Sequence, residues 1–155
     1  MAAQIDTHKL SRQIAGQVER GDWKAIEDHF NETPFVQHMG LSISLENPDI
    51  PNCFIREPMP FHTGGVGQNF LNGAVIAAMF DFVIGLTALH YASRGNFATT
   101  NVNVKFVRPV KQIGVYVVAE VTREIGRKLF VESTLFDGED KPCCYASGEI
   151  RTGIK

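Results

Sequence analysis

The feature that most constrains this chain is one apolar run with a carboxylate at its centre. Residues 74–89 read AVIAAMFDFVIGLTAL, interrupted only by Asp81, Gly85 and Thr87. The run is shorter than the ~20 residues of a bilayer crossing and carries an acid in its middle, so it is expected to be a buried helix and not a membrane segment. Sorted on a helix, Ala74, Ala77, Ala78, Asp81, Gly85 and Ala88 share one stripe, while Val75, Met79, Phe82, Leu86 and Leu89 share another. The bulky stripe suits the face of a sheet. The small stripe leaves room for another backbone, a second subunit or a narrow ligand beside Asp81.

An unpaired carboxylate in such surroundings has its charged form disfavoured and its pKa raised unless donors or cations compensate. Groups of that kind serve as working acids or bases. The other reading of Asp81 is an acceptor that meets a donor across a subunit interface.

Around this helix the hydrophobic period changes. Leu10, Ile14 and Val18, then Trp23, Ile26 and Phe30 after a break at Gly21-Asp22, predict a helical lead that Pro34 ends. Short strands are expected at residues 40–46 and 53–56, separated by the turn residues Asn47-Pro48-Asp49. A Gly-rich loop over residues 58–71 leads into the long helix. Beyond the helix the period is two. Residues 97–107 alternate, with Ala98, Val102, Val104 and Phe106 on one face and Thr99, Asn101, Asn103 and Lys105 on the other. Two further strands, residues 113–125 and 128–136, flank a turn at Gly126-Arg127, and a fourth, residues 143–151, follows Asp137-Gly138. Strands segregated from one central helix indicate an α+β class. The expected architecture is a curved antiparallel sheet wrapped around one long helix, with residues 1–33 as an N-terminal helical segment, residues 34–155 as the core, and a single domain over residues 1–155.

Composition narrows the function. Fifteen basic against 17 acidic side chains, a formal charge of -2 and no basic run argue against nucleic acid as a partner. Cys53, Cys143 and Cys144 form no C-x-x-C pair and are expected as reduced thiols. Residues 1–10 include Asp6 and lack the apolar core of a signal peptide, so a cytoplasmic location is expected. The histidines His8, His29, His38 and His90 show no metal-ligand spacing, and no metal site is expected. Gly64-Gly65-Val66-Gly67 lacks the G-K-[ST] of a phosphate loop, and Ser133 and Ser147 lack a G-x-S-x-G elbow.

The start of the long helix adds chemistry. Asn72 is a good N-cap, and Gly73 admits close approach to N–H groups that have no intrahelical acceptor. Such donors, with the helix dipole behind them, can hold a carbonyl oxygen that gains negative charge. Together with Asp81 they suggest attack of water on an acyl carbon. Nine residues from Asn72 to Asp81 amount to about 13.5 Å of helix, too far for one carbonyl. The site is therefore expected to combine Gly73 of one chain with Asp81 of another.

At this point the sequence resembles the hotdog-fold thioesterases of the 4-hydroxybenzoyl-CoA thioesterase superfamily, in particular their PaaI-like group. That group carries His-Gly-Gly, six residues, then Asp on its central helix, and Asn72-Gly73-Ala74 followed by Asp81 has the same spacing. Residues 99–109, TTNVNVKFVRP, resemble the family's strand ending in X-Pro, and residues 34–41, PFVQHMGL, its entry into the first strand. The resemblance implies a hotdog fold, a homodimer or homotetramer with sites between subunits, and hydrolysis of an acyl-CoA thioester without a cofactor, coenzyme A being part of the substrate. It also implies Asp81 as general base or nucleophile, Gly73 N–H as the polarising donor, and a Thr99 hydroxyl that orients water.

This chain departs from the family at Asn72, where relatives have His, and at Ala74, where they have a second Gly. An Asn that many relatives carry six residues before the motif His falls on Val66 here, and Asn69, then Gln68, are the nearest substitutes. His62 is a candidate general acid or a replacement for the motif His. Arg127 and Lys128 at a hairpin tip, and Arg108 with Lys111 at a strand end, are candidate contacts for coenzyme A phosphates. The rival to a thioesterase is a hotdog domain that binds an acyl thioester or another apolar ligand without turnover.

Overall fold

The computed structural model describes residues 7–64 and 69–154, so Gln68 lies outside the described residues. The helical lead forms two helices, α1 (Thr7–Glu19) and α2 (Trp23–Asn31), with Asp22 capping α2 through Ala25 N–H at 3.3 Å. A third short helix, α3 (Pro34–His38), starts at the proline that was expected only to end the helical segment. Proline is preorganised for the first helical position, where its missing N–H costs nothing. Strands β1 (Leu41–Ser44) and β2 (Asn52–Ile55) follow, then α4 (Gly73–Leu86). Strands β3 (Asn96–Phe106), β4 (Tyr116–Ile125), β5 (Lys128–Phe136) and β6 (Pro142–Ile154) complete the chain.

The six strands form one antiparallel sheet in the order β1-β2-β4-β5-β6-β3. The sheet curls around α4, as the alternation and the single apolar helix predict. Met79, Phe80, Val83 and Ile84 of α4 are fully buried, as are Val117, Leu129, Leu135 and Ile150 of the sheet. Each such side chain contributes roughly 1.5–3 kcal/mol through burial. The closest helix–sheet approach is at Gly148 of β6, where an added Cβ would lie 2.8 Å from Ile84 Cγ2. With the 3-10 turns that follow, residues 73–94 are long and apolar enough by composition to cross a bilayer, yet more than half of that stretch is buried inside the fold.

The helix expected over the apolar run, residues 74–89, ends earlier. After Leu86 the winding tightens to a 3-10 helix, Thr87–Arg94, and Thr87 Oγ1 donates to Ile84 O at 2.7 Å. That rotation carries Ala88 off the small stripe and into the core. The uniform alternation expected along β3 is broken as well. A bulge between Thr99 and Asn101 shifts the register against β6. Phe97 and Thr99 before it, and Val102 and Val104 after it, are partly covered, as is Asn96 at the start of the strand, whereas Ala98 is exposed.

The two sheet edges differ. Asn31 of α2 clasps Ile43 of β1, donating to its O at 3.1 Å and accepting from its N at 2.8 Å, and Glu27 accepts from Leu45 N at 2.7 Å. At the opposite edge β3 has β6 on one side and, among the described residues, no strand on the other.

Candidate active site

The α4 N-terminus is built by short-range hydrogen bonding. Asn72 is extended, with φ -64° and ψ 135°, and its Oδ1 accepts from Ala74 N at 2.8 Å, while its carbonyl accepts from Ile76 N at 3.2 Å. The expected N-cap is therefore in place, with its side-chain oxygen already engaged. Gly73 is exposed at the first helical position, and its N–H has no acceptor among the described residues. The preceding loop is fastened at its base, with Asn72 N donating to His62 O at 2.7 Å and Leu71 N to Val110 O at 2.7 Å.

His62 corrects an expectation. The side chain is fully buried. Its Nδ1 accepts from Met59 N at 3.0 Å, which leaves Nε2–H to donate to Met39 O at 2.7 Å. Both ring nitrogens thus satisfy main-chain groups, and neither is available as a general acid or a substrate contact. His62 ties the α3–β1 turn to the segment that carries the helix cap.

A groove of about 440 Å³ opens at the α4 N-terminus, lined by Gly73, Ile76, Phe70, Phe106, Val110 and Arg108 among others. Phe106 lies over Gly73, where an added Cβ would meet its ring at 3.4 Å. Asn69 is exposed in the turn just before Phe70.

Asp81 lies eight residues along α4, about 12 Å from Gly73 by helical rise. In the single chain it is exposed, not enclosed as the apolar run suggested, and has no hydrogen bond or ion pair among the described residues. It lies on the small stripe, where the sheet does not cover the helix. Gly85, one turn further on, has Thr99 Oγ1 3.9 Å from the position of a Cβ. The bulge in β3 turns Thr99 toward this stripe although simple alternation placed it on the other face. One chain thus brings Thr99 to the stripe that carries Asp81, and keeps Gly73 apart from both.

The basic candidates separate. Arg108 lines the groove beside Gly73. Arg127 and Lys128 lie level with the other end of β3, which spans about 33 Å, across β6 from Phe97 and Ala98. Arg127 Nη1 donates to Gly153 O at 3.3 Å, and Lys128 Nζ lies 3.3 Å from Glu149. Within one chain these three do not share a ligand. Sequence reasoning missed the exposed pair Phe106 and Val107, since alternation assigned Phe106 to a covered face, and also missed Gly148, whose position inside a strand was the available signal.

A family model, the thioesterase superfamily, matches residues 68–144. Ta0293 of Thermoplasma acidophilum, which carries an esterase name, is 32% identical over 95 residues, covering 61% of this chain and 70% of its own. The acyl-coenzyme A thioesterase THEM4 of Rattus norvegicus is 34% identical over 73 residues, covering 46% of this chain, which spans only 30% of that protein. Among solved structures, a Shewanella oneidensis protein related to the thioesterase superfamily superposes with a TM-score of 0.74 at 22% identity, covering 90% of this chain and 98% of its own. The helix wrapped by the six-stranded sheet is the hotdog fold, and the chain belongs to the thioesterase superfamily.

Proposed function

We propose that this protein hydrolyses an acyl-CoA thioester to a free acid and CoA at a site made by two copies of the chain. The observation that carries the reading is the arrangement on α4: an unengaged Gly73 N–H at its start and an exposed Asp81 on its small stripe, about 12 Å apart. Two α4 helices packed antiparallel through their small stripes would bring Asp81 of one chain to Gly73 of the other, and the open edge of β3 supports such pairing. Asp81 takes a proton from water as the water oxygen attacks the carbonyl carbon, or attacks that carbon itself to form a mixed anhydride that water then hydrolyses to the free acid and the regenerated carboxylate. The developing oxyanion accepts a hydrogen bond from Gly73 N–H, and collapse breaks the C–S bond to release the CoA thiolate. The Thr99 hydroxyl holds water, Asn69 and the free Nδ2 of Asn72 assist at the groove, and Arg108 offers charge for a phosphate. A thiolate leaves readily, so no metal or redox cofactor enters the scheme. Three free, buried cysteines fit a reducing, cytoplasmic setting.

The cap bond of Asn72 favours the second reading, a binder without turnover, because the amide oxygen is occupied where relatives present an imidazole. Free-thiol release from a panel of acyl-CoA esters separates the two. Hydrolysis is expected, and Asp81→Asn is expected to lower kcat by about 10²- to 10⁴-fold with unchanged circular dichroism, Asp81 being exposed. Unchanged turnover in the variant would defeat the mechanism, and tight binding with no thiol release by the parent protein would establish the binder. Light scattering tests the assembly, since a strict monomer contradicts a two-chain site.

A further inference from the structure

His62 is fully buried, and hydrolysis as proposed gives it no substrate contact and no proton to move. Its main-chain carbonyl nonetheless accepts from Asn72 N at 2.7 Å, one residue before the donor assigned to the thioester carbonyl. This bond is the next rung after the isolated bridge Thr63↔Leu71 that closes the loop leading into α4. The Asn72–Gly73 peptide, which carries the Gly73 N–H, is thus held from behind by His62. From ahead it is held by Ile76 N, which donates to Asn72 O at 3.2 Å. The His62 ring supplies the outside reference for this hold. Its Nδ1 bond to Met59 N is local, three residues back within the 3-10 turn Pro60–His62, whereas Nε2–H crosses 23 residues of sequence to Met39 O at 2.7 Å. Met39 is the C-cap of α3, and Phe35 of that helix packs on Phe82 of α4 with ring centroids 5.5 Å apart. Phe82 follows Asp81 directly, so the circuit through His62 runs from the first turn of α4 to α3 and back to α4 beside its carboxylate.

From this geometry we propose that His62 is the positioning residue of the oxyanion donor: through Asn72 it sets the direction of the Gly73 N–H, with the end of α3 as its fixed point. The inference rests on the reading of Gly73 as the carbonyl donor. A donor stabilises an oxyanion only if it is aimed before the charge develops, and a hydrogen bond weakens steeply once its angle departs from linear. Gly73 has no side chain to pack, so the direction of its N–H depends on the residues around it. The tie to Met39 O is the contact that matters for aim, because the Nδ1 bond holds the turn only to itself.

The two ring contacts can be separated, since an Asn carboxamide reaches as far as Nδ1 and a Gln carboxamide as far as Nε2. His62→Asn keeps an acceptor for Met59 N and drops the tie to Met39 O, while His62→Gln keeps that tie. For both variants kcat and KM are measured with the best substrate of the acyl-CoA panel, together with thermal melting and the Gly73 amide resonance by NMR. Each variant loses one buried hydrogen bond, so both are expected to melt below the parent by similar amounts. His62→Asn is expected to lower kcat about 10- to 100-fold at little changed KM and to shift the Gly73 resonance. His62→Gln is expected to stay within about threefold of the parent kcat, with the resonance in place. A parent-like kcat in His62→Asn, or equal losses of kcat in the two variants that follow their melting temperatures, overturns the proposal and leaves His62 a residue of the core. If His62→Asn does not fold, Gly40→Ala replaces it: at φ 60° its Cβ would stand 2.6 Å from Glu57 O, which displaces the turn carrying Met39 O and leaves the ring untouched. The same fall in kcat with a shifted Gly73 resonance is then expected, and its absence overturns the proposal. A parent protein that releases no thiol refutes hydrolysis, and the resonance then decides alone. Shifted in His62→Asn and restored in His62→Gln, it supports positioning; unshifted in both, it refutes it.

Discussion

Gly73 permits a test in which backbone chemistry is changed while the helix is kept. It occupies the first helical position, where Pro is favoured, and Asn72 before it already has the extended conformation that a following proline requires. Gly73→Pro should therefore preserve α4 and remove the one N–H to which the oxyanion is assigned. The expected result is an unchanged circular dichroism spectrum and a fall in kcat of about 10²- to 10³-fold. Gly73→Ala, which retains the N–H and puts its Cβ at ordinary contact distance from Phe106, should lose far less. The places of Asp81 and Gly73 on α4 were legible in the sequence because they follow from helix periodicity, whereas the exposure of Asp81 was not. His62 was not: its role depends on main-chain groups of Met39 and Met59, and no local pattern specifies that a loop histidine will be enclosed by them.

Among the elements, α4 and its contact with β6 set the position of the site. At Gly148 a methyl group would stand 2.8 Å from Ile84 Cγ2 and 3.0 Å from its Cδ1. Gly148→Ala is expected to cost about 1–3 kcal/mol by overpacking, measured by denaturant unfolding. Adding Ile84→Val, which removes the Cδ1 and its crowding, should recover part of that loss, as a double-mutant cycle would show. The elements themselves were largely readable, since period and turn residues gave β4, β5 and the hairpin at Gly126-Arg127. The early end of α4 and the bulge in β3 were hidden for a shared reason. Each is one residue of change in winding or register, too small to alter the average period but enough to move Ala88 inward and Thr99 toward the helix.

At the scale of the whole molecule, the fold encloses Cys53 so fully that burial pushes its thiol up to about 12 from a usual 9.0. The unfolded chain releases this proton above pH 9, whereas the folded chain holds it until about pH 12. Ionisation in that window therefore favours unfolding. Cys53 should remove about 1.4 kcal/mol of stability per pH unit across it. Urea titrations from pH 8 to pH 11 should show the slope, and Cys53→Ala should reduce it. The fold class was legible at this scale because one apolar helix and a run of alternating strands have few other ways to bury their faces.

The bulge in β3 also bears on association with the wrong molecules. An unpaired edge strand is an invitation to any extended chain, and runaway addition of such chains is how fibrils grow. With Thr100 as an extra residue, β3 changes phase partway along its length. A regular intruding strand can keep step with Asn96–Thr99 or with Asn101–Phe106, but not with both. The same irregularity that turns Thr99 toward the helix thus makes this edge a poor template for aggregation, while a strand with a matching kink can still use its full length.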